Sequence, residues 1–178
     1  MMTGETIVLV DDDQEVLRSS RQTLELEGFA VEAAAAARPA LARLGRSWPG
    51  VVVSDVRMPD LDGFALMEAV RAIDPELPVV LITGHGDIPM AMRAVREGAY
   101  DFIEKPAEPD HLVEVVRRAL AHRRLVLENR ALRDRLAGGG LEARIIGRSP
   151  AVERLRATVA ALADAEVDVL ILGETGTG

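Results

Sequence analysis

The chain has 178 residues, 48% of them hydrophobic and 28% charged, which allows one full globular domain and a smaller remainder; no apolar run approaches the ~18 residues that span a membrane. Its formal net charge of −8 gives no general attraction to nucleic acid, so we expect no direct contact with DNA or with a membrane. The lack of cysteine excludes disulfide and thiolate chemistry and, with no evident signal peptide, leads us to expect a cytoplasmic protein.

Short apolar runs alternate with amphipathic segments from residue 6 to about residue 122. The pattern predicts strands at residues 6–10, 29–34, 51–54, 78–83 and 101–104. It predicts helices at residues 15–28, 63–73 and 88–98. This alternation is typical of a five-stranded, parallel, doubly wound α/β sheet of the flavodoxin type, which we assign to residues 1–122.

Residues 109–136 are predicted to form the last helix of this domain and to extend well beyond it, because residues 111–136 contain no glycine or proline. In its second half an asparagine lies among leucines at spacings of four, three and four, as in a coiled-coil seam. The seam positions are Leu125, Asn129, Leu132 and Leu136. We therefore expect a parallel homodimer through this linker helix, with an unpaired, solvated helix as the alternative.

Three glycines predict a flexible joint at residues 137–144. Beyond it, residues 145–178 indicate the start of a second α/β domain. Ser149 is expected to cap a helix whose first residue is Pro150, and residues 167–172 are expected to form a strand. That strand leads into a glycine- and threonine-rich loop.

Polar side chains lie at the carboxyl ends of four predicted strands. In chain order they are Asp11, Asp12, Asp13, Asp55, Thr83 and Lys105. Because the carboxyl ends of parallel strands converge, we expect these side chains to share one pocket. Clustered carboxylates repel unless a pKa rises or a hard divalent cation binds, so the cluster predicts a Mg²⁺ site. The plainer alternatives are a helix start at Asp11–Asp13, turn residues at Asp60 and Asp62, and a solvated Lys105.

Asp55 is the predicted nucleophile of this pocket. Mg²⁺ uses only one or two carboxylates in proteins, which leaves an aspartate free to attack a phosphoryl donor. The product would be an acyl phosphate, with Lys105 offsetting the developing charge and Thr83 donating to a phosphoryl oxygen.

The stretches "VLVDDD", "SDVRMPDLDG", "LITGHGD" and "GAYDFIEKP" together resemble the receiver domain of response regulators, a CheY-like domain, over about residues 5–122. The resemblance implies Mg²⁺ ligands at Asp11, Asp12, Asp55 and the backbone carbonyl of Arg57, with Asp12 a direct ligand. It also implies that Phe102 is a switch aromatic coupled to Thr83. A sensor histidine kinase would supply the phosphoryl group, and the domain would dephosphorylate itself.

The stretches "IIGRSPAVERLRATV" and "VDVLILGETGTG" resemble the opening of the AAA+ module of sigma-54-dependent activators of the nitrogen-regulator type, ending in an incomplete Walker A loop. The loop residues are Gly173, Glu174, Thr175, Gly176, Thr177 and Gly178. Because the Walker lysine would follow the last residue, we expect no ATP hydrolysis by this chain. ATP, sigma-54 RNA polymerase and DNA would bind only through further domains of a longer protein.

The sequence thus predicts a phosphorylation-dependent dimeric switch of a two-component system that controls an attached ATPase. The stretches "LITGHGDIPMAMRAVREGAYDFI" and "RRLVLENRALR" are most similar to regulators of four-carbon dicarboxylate transport. The alternative is an aspartyl-phosphate hydrolase of the haloacid dehalogenase type, with Asp11 as nucleophile and Asp13 as the second aspartate. Glu15 departs from that pattern. A flavodoxin-like small-molecule binder would need a glycine-rich or hydroxyl-rich loop after the first strand, which is missing.

Overall fold

The structure is a computed structural model that describes residues 5–84, 88–137 and 145–162. The chain divides into two compact units, Met1–Asn129 and Arg130–Gly178. Five strands lie in the first unit: β1 (Thr6–Val10), β2 (Ala30–Ala34), β3 (Gly50–Asp55), β4 (Val79–Thr83) and β5 (Asp101–Glu104). All of them pair in parallel, in the order β2-β1-β3-β4-β5. The predicted five-stranded parallel sheet is confirmed.

Five helices accompany the sheet: α1 (Gln14–Leu26), α2 (Ala37–Leu41), α3 (Gly63–Ile73), α4 (Ile88–Glu97) and α5 (Pro109–Ala137). Three of them, α1, α3 and α4, lie within two residues of their predicted bounds. Helix α2 was not predicted, since it has only five residues, follows an alanine run without helical periodicity, and has no side-chain cap at Ala36. Its buried Ala37 and Ala40 nevertheless pack against the sheet.

Strand alternation divides the core into two apolar clusters, one on each face of the sheet. On β1, Ile7 and Leu9 belong to the first cluster, which α1 and α5 cover. Val8 and Val10 belong to the second cluster, which α2, α3 and α4 cover. Burial on both faces explains why residues 51–53 of β3 and 79–82 of β4 are continuous apolar runs and not alternating patterns.

The predicted long last helix is confirmed, because α5 has 29 residues. Its first half contributes Leu112, Val115 and Leu120 to the first apolar cluster. Leu125 and Leu132, two of the predicted seam residues, are 65% and 55% exposed. The predicted seam residue Leu136 lies outside the described side chains.

A charged side chain is fully buried under α5. Arg123 is 1% exposed, and its Nη1 lies 2.9 Å from a carboxylate oxygen of Asp74, which is 0% exposed. The guanidinium also donates to the backbone carbonyls of Arg46, Trp48 and Glu76 at 3.0, 3.0 and 3.3 Å. The buried charge is therefore paired and hydrogen-bonded, as burial requires.

In the second unit, helix α6 (Pro150–Leu162) begins at the predicted residue. The Ser149 hydroxyl accepts from the backbone N–H of Val152 at 3.4 Å. The glycine-rich joint from residue 138 onwards, the predicted strand at 167–172 and the predicted loop at 173–178 lie outside the described residues. Across the part of the chain that the structure describes, no helix combines the length and apolar character needed to cross a membrane.

Candidate functional site

Two buried carboxylates and one ammonium group meet at the carboxyl end of the sheet. Lys105 Nζ lies 2.7 Å from Asp11 Oδ2 and 2.6 Å from Asp55 Oδ1. Asp11 follows β1, Asp55 is the last residue of β3, and Lys105 follows β5. Three of the six side chains that the sequence placed in one pocket are therefore joined, because Lys105 contacts both Asp11 and Asp55.

Backbone groups fix the second oxygen of each carboxylate. The N–H of Asp13 donates to Asp11 Oδ1 at 2.9 Å, and the N–H of Arg57 donates to Asp55 Oδ2 at 2.6 Å. The backbone of Lys105 is tied to the neighbouring strand β4, because its backbone N–H donates to the carbonyl of Thr83 at 2.7 Å. These bonds leave Asp55 Oδ1 oriented toward Lys105, where charge would develop during attack on a phosphoryl donor.

The cluster shifts the protonation of two of its members. Burial raises the pKa of Asp11, because the charged carboxylate loses water; hydrogen bonds from Lys105 and from the N–H of Asp13 act in the opposite direction without cancelling the rise. Burial alone would lower the pKa of Lys105. Hydrogen bonds and charges from Asp11 and Asp55 outweigh it, so the pKa of Lys105 is raised and the ammonium stays charged.

The other two acids of the triplet differ from Asp11. Asp13 caps α1, since its Oδ1 accepts from the N–H groups of Glu15 at 2.8 Å and Val16 at 3.3 Å. The helix-start alternative therefore holds for Asp13. Asp12 is exposed, and the contacts that join Asp11, Asp55 and Lys105 do not include it.

Two buried carboxylates next to the exposed Asp12 fit Mg²⁺, which binds one or two carboxylates and keeps water and phosphate oxygens as its other ligands. No group of three or more acidic, histidine or cysteine side chains within the described ranges is already gathered around a metal position. The Mg²⁺ ligands predicted at Asp11, Asp12, Asp55 and the Arg57 carbonyl thus stay predictions, of which the structure brings Asp11 and Asp55 together.

The two predicted switch residues lie on one face of the sheet. Thr83 is the buried last residue of β4. Phe102 on β5 pairs with Leu81, which lies on β4 two residues before Thr83 and therefore on the same face. Phe102 is partly buried against the second apolar cluster, which also contains Leu81. Coupling between Thr83 and Phe102 stays a prediction.

Comparison with known proteins decides the family. The family model described as the response regulator receiver domain matches residues 7–117. The chain belongs to this family.

Curated relatives of this receiver include two proteins named C4-dicarboxylate transport transcriptional regulatory protein DctD. The protein from Rhizobium meliloti (strain 1021) is 49% identical over 100% of this chain and 39% of its own length. The protein from Pseudomonas aeruginosa is 52% identical over 97% of this chain and 37% of its own length. The chain therefore spans less than half the length of these relatives. The solved response regulator StyR matches with a TM-score of 0.72 at 32% identity, over 92% of this chain and 85% of that chain.

Several plainer explanations can now be judged for this receiver. Lys105 is not merely a solvated surface lysine, because its ammonium contacts two carboxylates and its side chain is 21% exposed. Asp62 does cap α3, accepting from the N–H of Ala65 at 2.7 Å, and Asp60 forms an exposed pair with Arg38 at 3.1 Å. Asp60 and Asp62 are thus structural aspartates, whereas Asp13, which the sequence also placed in the pocket, caps α1.

Gly63 supports the receiver pocket and was not singled out from the sequence. Its N–H donates to the carbonyl of Val56 at 2.9 Å, at the start of α3. A Cβ at this position would overlap the carbonyl oxygen of Asp55 and lie 2.9 Å from the Cα of Val56. Only glycine lets α3 approach the backbone of the predicted nucleophile so closely. The one available signal was its place directly after the cap Asp62.

Gly63→Ala is expected to destabilise the receiver by about 1–3 kcal/mol, because the added methyl group must displace backbone. The displaced backbone belongs to Asp55, so phosphoryl uptake should slow as well. Urea unfolding and the rate of mass increase with acetyl phosphate measure the two effects. Gly45→Ala is the matched control, since a Cβ there meets no atom within 4 Å. Equal stability of the two variants would contradict the overlap.

Asp11→Asn is expected to stabilise the receiver at pH 7 in the absence of Mg²⁺. Because burial raises the pKa of Asp11, the folded chain holds this proton more tightly than the unfolded chain, and stability is lost as the pH rises above the ordinary value of 3.8 through the raised pKa. Lys105 keeps Asp55 as its partner in the variant. The gain should therefore be largest at neutral pH and shrink toward pH 3.8.

Urea unfolding with EDTA at several pH values, followed by fluorescence of the single tryptophan, Trp48, measures the effect of Asp11→Asn. Asp60→Asn is the control for the same chemical change at an exposed position. A loss of stability at pH 7 in Asp11→Asn would mean that the attraction to Lys105 outweighs the cost of burial.

Proposed function

We propose that this receiver accepts a phosphoryl group on Asp55 from a sensor histidine kinase and thereby controls an attached sigma-54-activating ATPase. The observation that carries the proposal is the direct contact of one ammonium, Lys105, with two buried carboxylates at the carboxyl ends of β1 and β3. Membership of the receiver family supports it.

Asp55 Oδ1 is the nucleophile in this proposal. It attacks the phosphorus of a phosphohistidine, the phosphorus–nitrogen bond breaks, and the departing imidazole keeps the electron pair and takes a proton. Lys105 already lies 2.6 Å from Asp55 Oδ1 and offsets negative charge as it develops on the phosphoryl oxygens. Asp11, Asp12, Asp55 and the Arg57 carbonyl would hold Mg²⁺, which supplies further charge neutralisation when bound.

Thr83 and Phe102 are proposed to report the phosphorylation. Thr83 ends the strand next to β3, so its hydroxyl can donate to a phosphoryl oxygen on Asp55. Phe102 lies on the same face of the neighbouring strand and would follow into the space that Thr83 vacates. Such a rearrangement biases a two-state element, which is how a local charge change reaches a distant surface.

We propose that the rearrangement acts on a homodimer that forms through the linker helix. Leu125 and Asn129 are exposed on α5, and Leu132 is exposed further along it. Exposed leucines repeating around an asparagine at heptad spacing favour pairing with a second copy. The solvated single helix stays the alternative.

The target genes are proposed from the relatives, and the attached domain is proposed from residues 145–178. The DctD proteins are named as transcriptional regulators of C4-dicarboxylate transport, and we infer the same class of target genes for this chain. Residues 145–178 would begin the AAA+ domain, with residues 173–178 at its nucleotide. Contacts with sigma-54 RNA polymerase and DNA would come from further domains, in the cytoplasm.

Incubation with acetyl phosphate and Mg²⁺ is expected to add one phosphoryl group to the chain, and removal of Mg²⁺ with EDTA should prevent it. Two carboxylates facing a phosphoryl dianion repel it when the metal is absent, so the rate should fall by about 100-fold or more. Intact-mass spectrometry measures the adduct, and Ca²⁺ serves as a control for a cation with different geometry. An adduct that forms equally well in EDTA would contradict the Mg²⁺ site.

A further inference from the structure

Arg123 is the last buried side chain of α5 in the first unit. The helix is held to the sheet by apolar side chains as far as Leu120, and no residue from 124 to 129 is buried. Arg123, whose side chain is 1% exposed, therefore lies where α5 stops packing against the apolar core.

The contacts of Arg123 join α5 to two loops at the amino ends of β3 and β4. Arg46 and Trp48 lie in the loop before β3, and their carbonyls accept from the guanidinium at 3.0 Å each. Asp74 and Glu76 lie in the loop before β4 and provide a carboxylate at 2.9 Å and a carbonyl at 3.3 Å. Only the five-donor fork of arginine reaches so many acceptors in different directions. An apolar side chain here would pack, but it would not tie the helix to either loop.

The anchored face of α5 and the predicted seam lie on opposite sides of the helix. At about 100° per residue, Leu125 lies about 200° and Asn129 about 240° around the axis from Arg123. Both are exposed. Leu127 lies only about 40° from Arg123 and lines a cavity of about 330 Å³ with Pro49 and Leu120.

We propose that Arg123 is a positioning residue that holds α5 in one rotational setting at its exit from the receiver, and so presents the face of Leu125 and Asn129 to a second copy of the chain. The inference rests on the homodimer of the proposed function and names the side chain that selects its paired face. The buried pair of Arg123 and Asp74 determines which side of the linker helix can contact a second copy. The spacing of the leucines then determines the register in which the two helices pair.

Disulfide crosslinking of the 178-residue chain tests this inference, because the sequence has no cysteine of its own. Single substitutions Leu125→Cys and Asn129→Cys report the outward face, and Leu127→Cys reports the anchored face. In the parent background we expect rapid crosslinking at 125 and 129 and little at 127. No crosslinking at any of the three positions would overturn the proposal, since there would be no pairing for Arg123 to orient.

The decisive comparison repeats these crosslinks with Arg123→Met combined with Asp74→Asn, which removes both buried charges together. The ratio of crosslinking at 125 to crosslinking at 127 is expected to fall toward one. Arg123→Lys, which keeps the charge but not the fork, should lower the ratio partly even if the double variant folds poorly. Arg124→Met, which loses only an exposed pair with Glu5, is the matched control and should keep the parent ratio. An unchanged ratio in the Arg123 variants would overturn the proposal.

Phosphoryl uptake measured on the same samples separates this inference from the proposed function. Normal uptake with an altered ratio supports the role of Arg123. Loss of uptake already in the parent chain would argue against Asp55 as a phosphoacceptor without changing the crosslinking result.

Discussion

Asp55→Asn is expected to abolish phosphoryl uptake, with a fall in rate of at least about 1,000-fold. Asp55 is the last residue of the fully buried strand β3, and its carboxylate oxygen Oδ1 lies 2.6 Å from Lys105 Nζ. The amide oxygen of asparagine at the same position would be a far weaker nucleophile. Intact mass after incubation with Mg²⁺ and acetyl phosphate gives the result directly.

Two further Asp-to-Asn variants make the result specific. Asp60→Asn changes an exposed aspartate in the loop that follows Asp55 and should take up phosphoryl at the parent rate. Asp11→Asn should slow uptake through its effect on Mg²⁺ but still give the adduct. An adduct on Asp55→Asn together with none on Asp11→Asn would instead support the haloacid dehalogenase type of hydrolase.

Arg123→Met is expected to destabilise the protein by about 3–5 kcal/mol, because it leaves Asp74 as a buried carboxylate without its cation. Asp74 is 0% exposed, and three backbone carbonyls would also lose the hydrogen bonds that Arg123 donates to them. Since the whole free energy of unfolding of a domain is about 5–15 kcal/mol, this single change would remove a large part of it. Urea unfolding followed by circular dichroism measures it.

The neighbouring Arg124→Met provides the control for loss of an arginine from the same helix. Its pair with Glu5 is exposed, so the expected cost is less than about 1 kcal/mol. Adding Asp74→Asn to Arg123→Met should restore part of the stability, because neither member of this pair then carries a charge. A cost below about 1 kcal/mol for Arg123→Met would mean that water replaces the guanidinium.

Elements with strong periodicity were predictable, and elements defined by tertiary contact were not. The β-α alternation gave all five strands and the helices α1, α3 and α4, since each has an apolar stripe, a cap or a terminal glycine. Helix α2 has none of these, and two buried alanines and the partly buried Leu41 hold it against the sheet. Its existence depends on packing that no local pattern records.

The pocket followed from the sequence for the same reason. Side chains directly after parallel strands must converge, so the meeting of Asp11, Asp55 and Lys105 could be predicted from strand positions alone. The different roles of the three aspartates at 11–13 could not be predicted, because Asp11 is buried while the adjacent Asp12 is exposed. Nor could the role of Arg123, which in the sequence is one of many charges on a long helix.

The first apolar cluster contains residues from the first strand and from the last helix of the receiver, which are synthesised at different times. It places Ile7 and Leu9 against Val115, Val116 and Leu120, which are synthesised later than the rest of this cluster except for their neighbours on α5. While the chain is still growing on the ribosome, one face of the inner strand β1 therefore lacks part of its cover. Folding as a unit must wait for α5 to emerge. The helix that carries the proposed pairing surface is thus the same element whose arrival completes the domain, so an unfinished receiver has no linker to present to a partner.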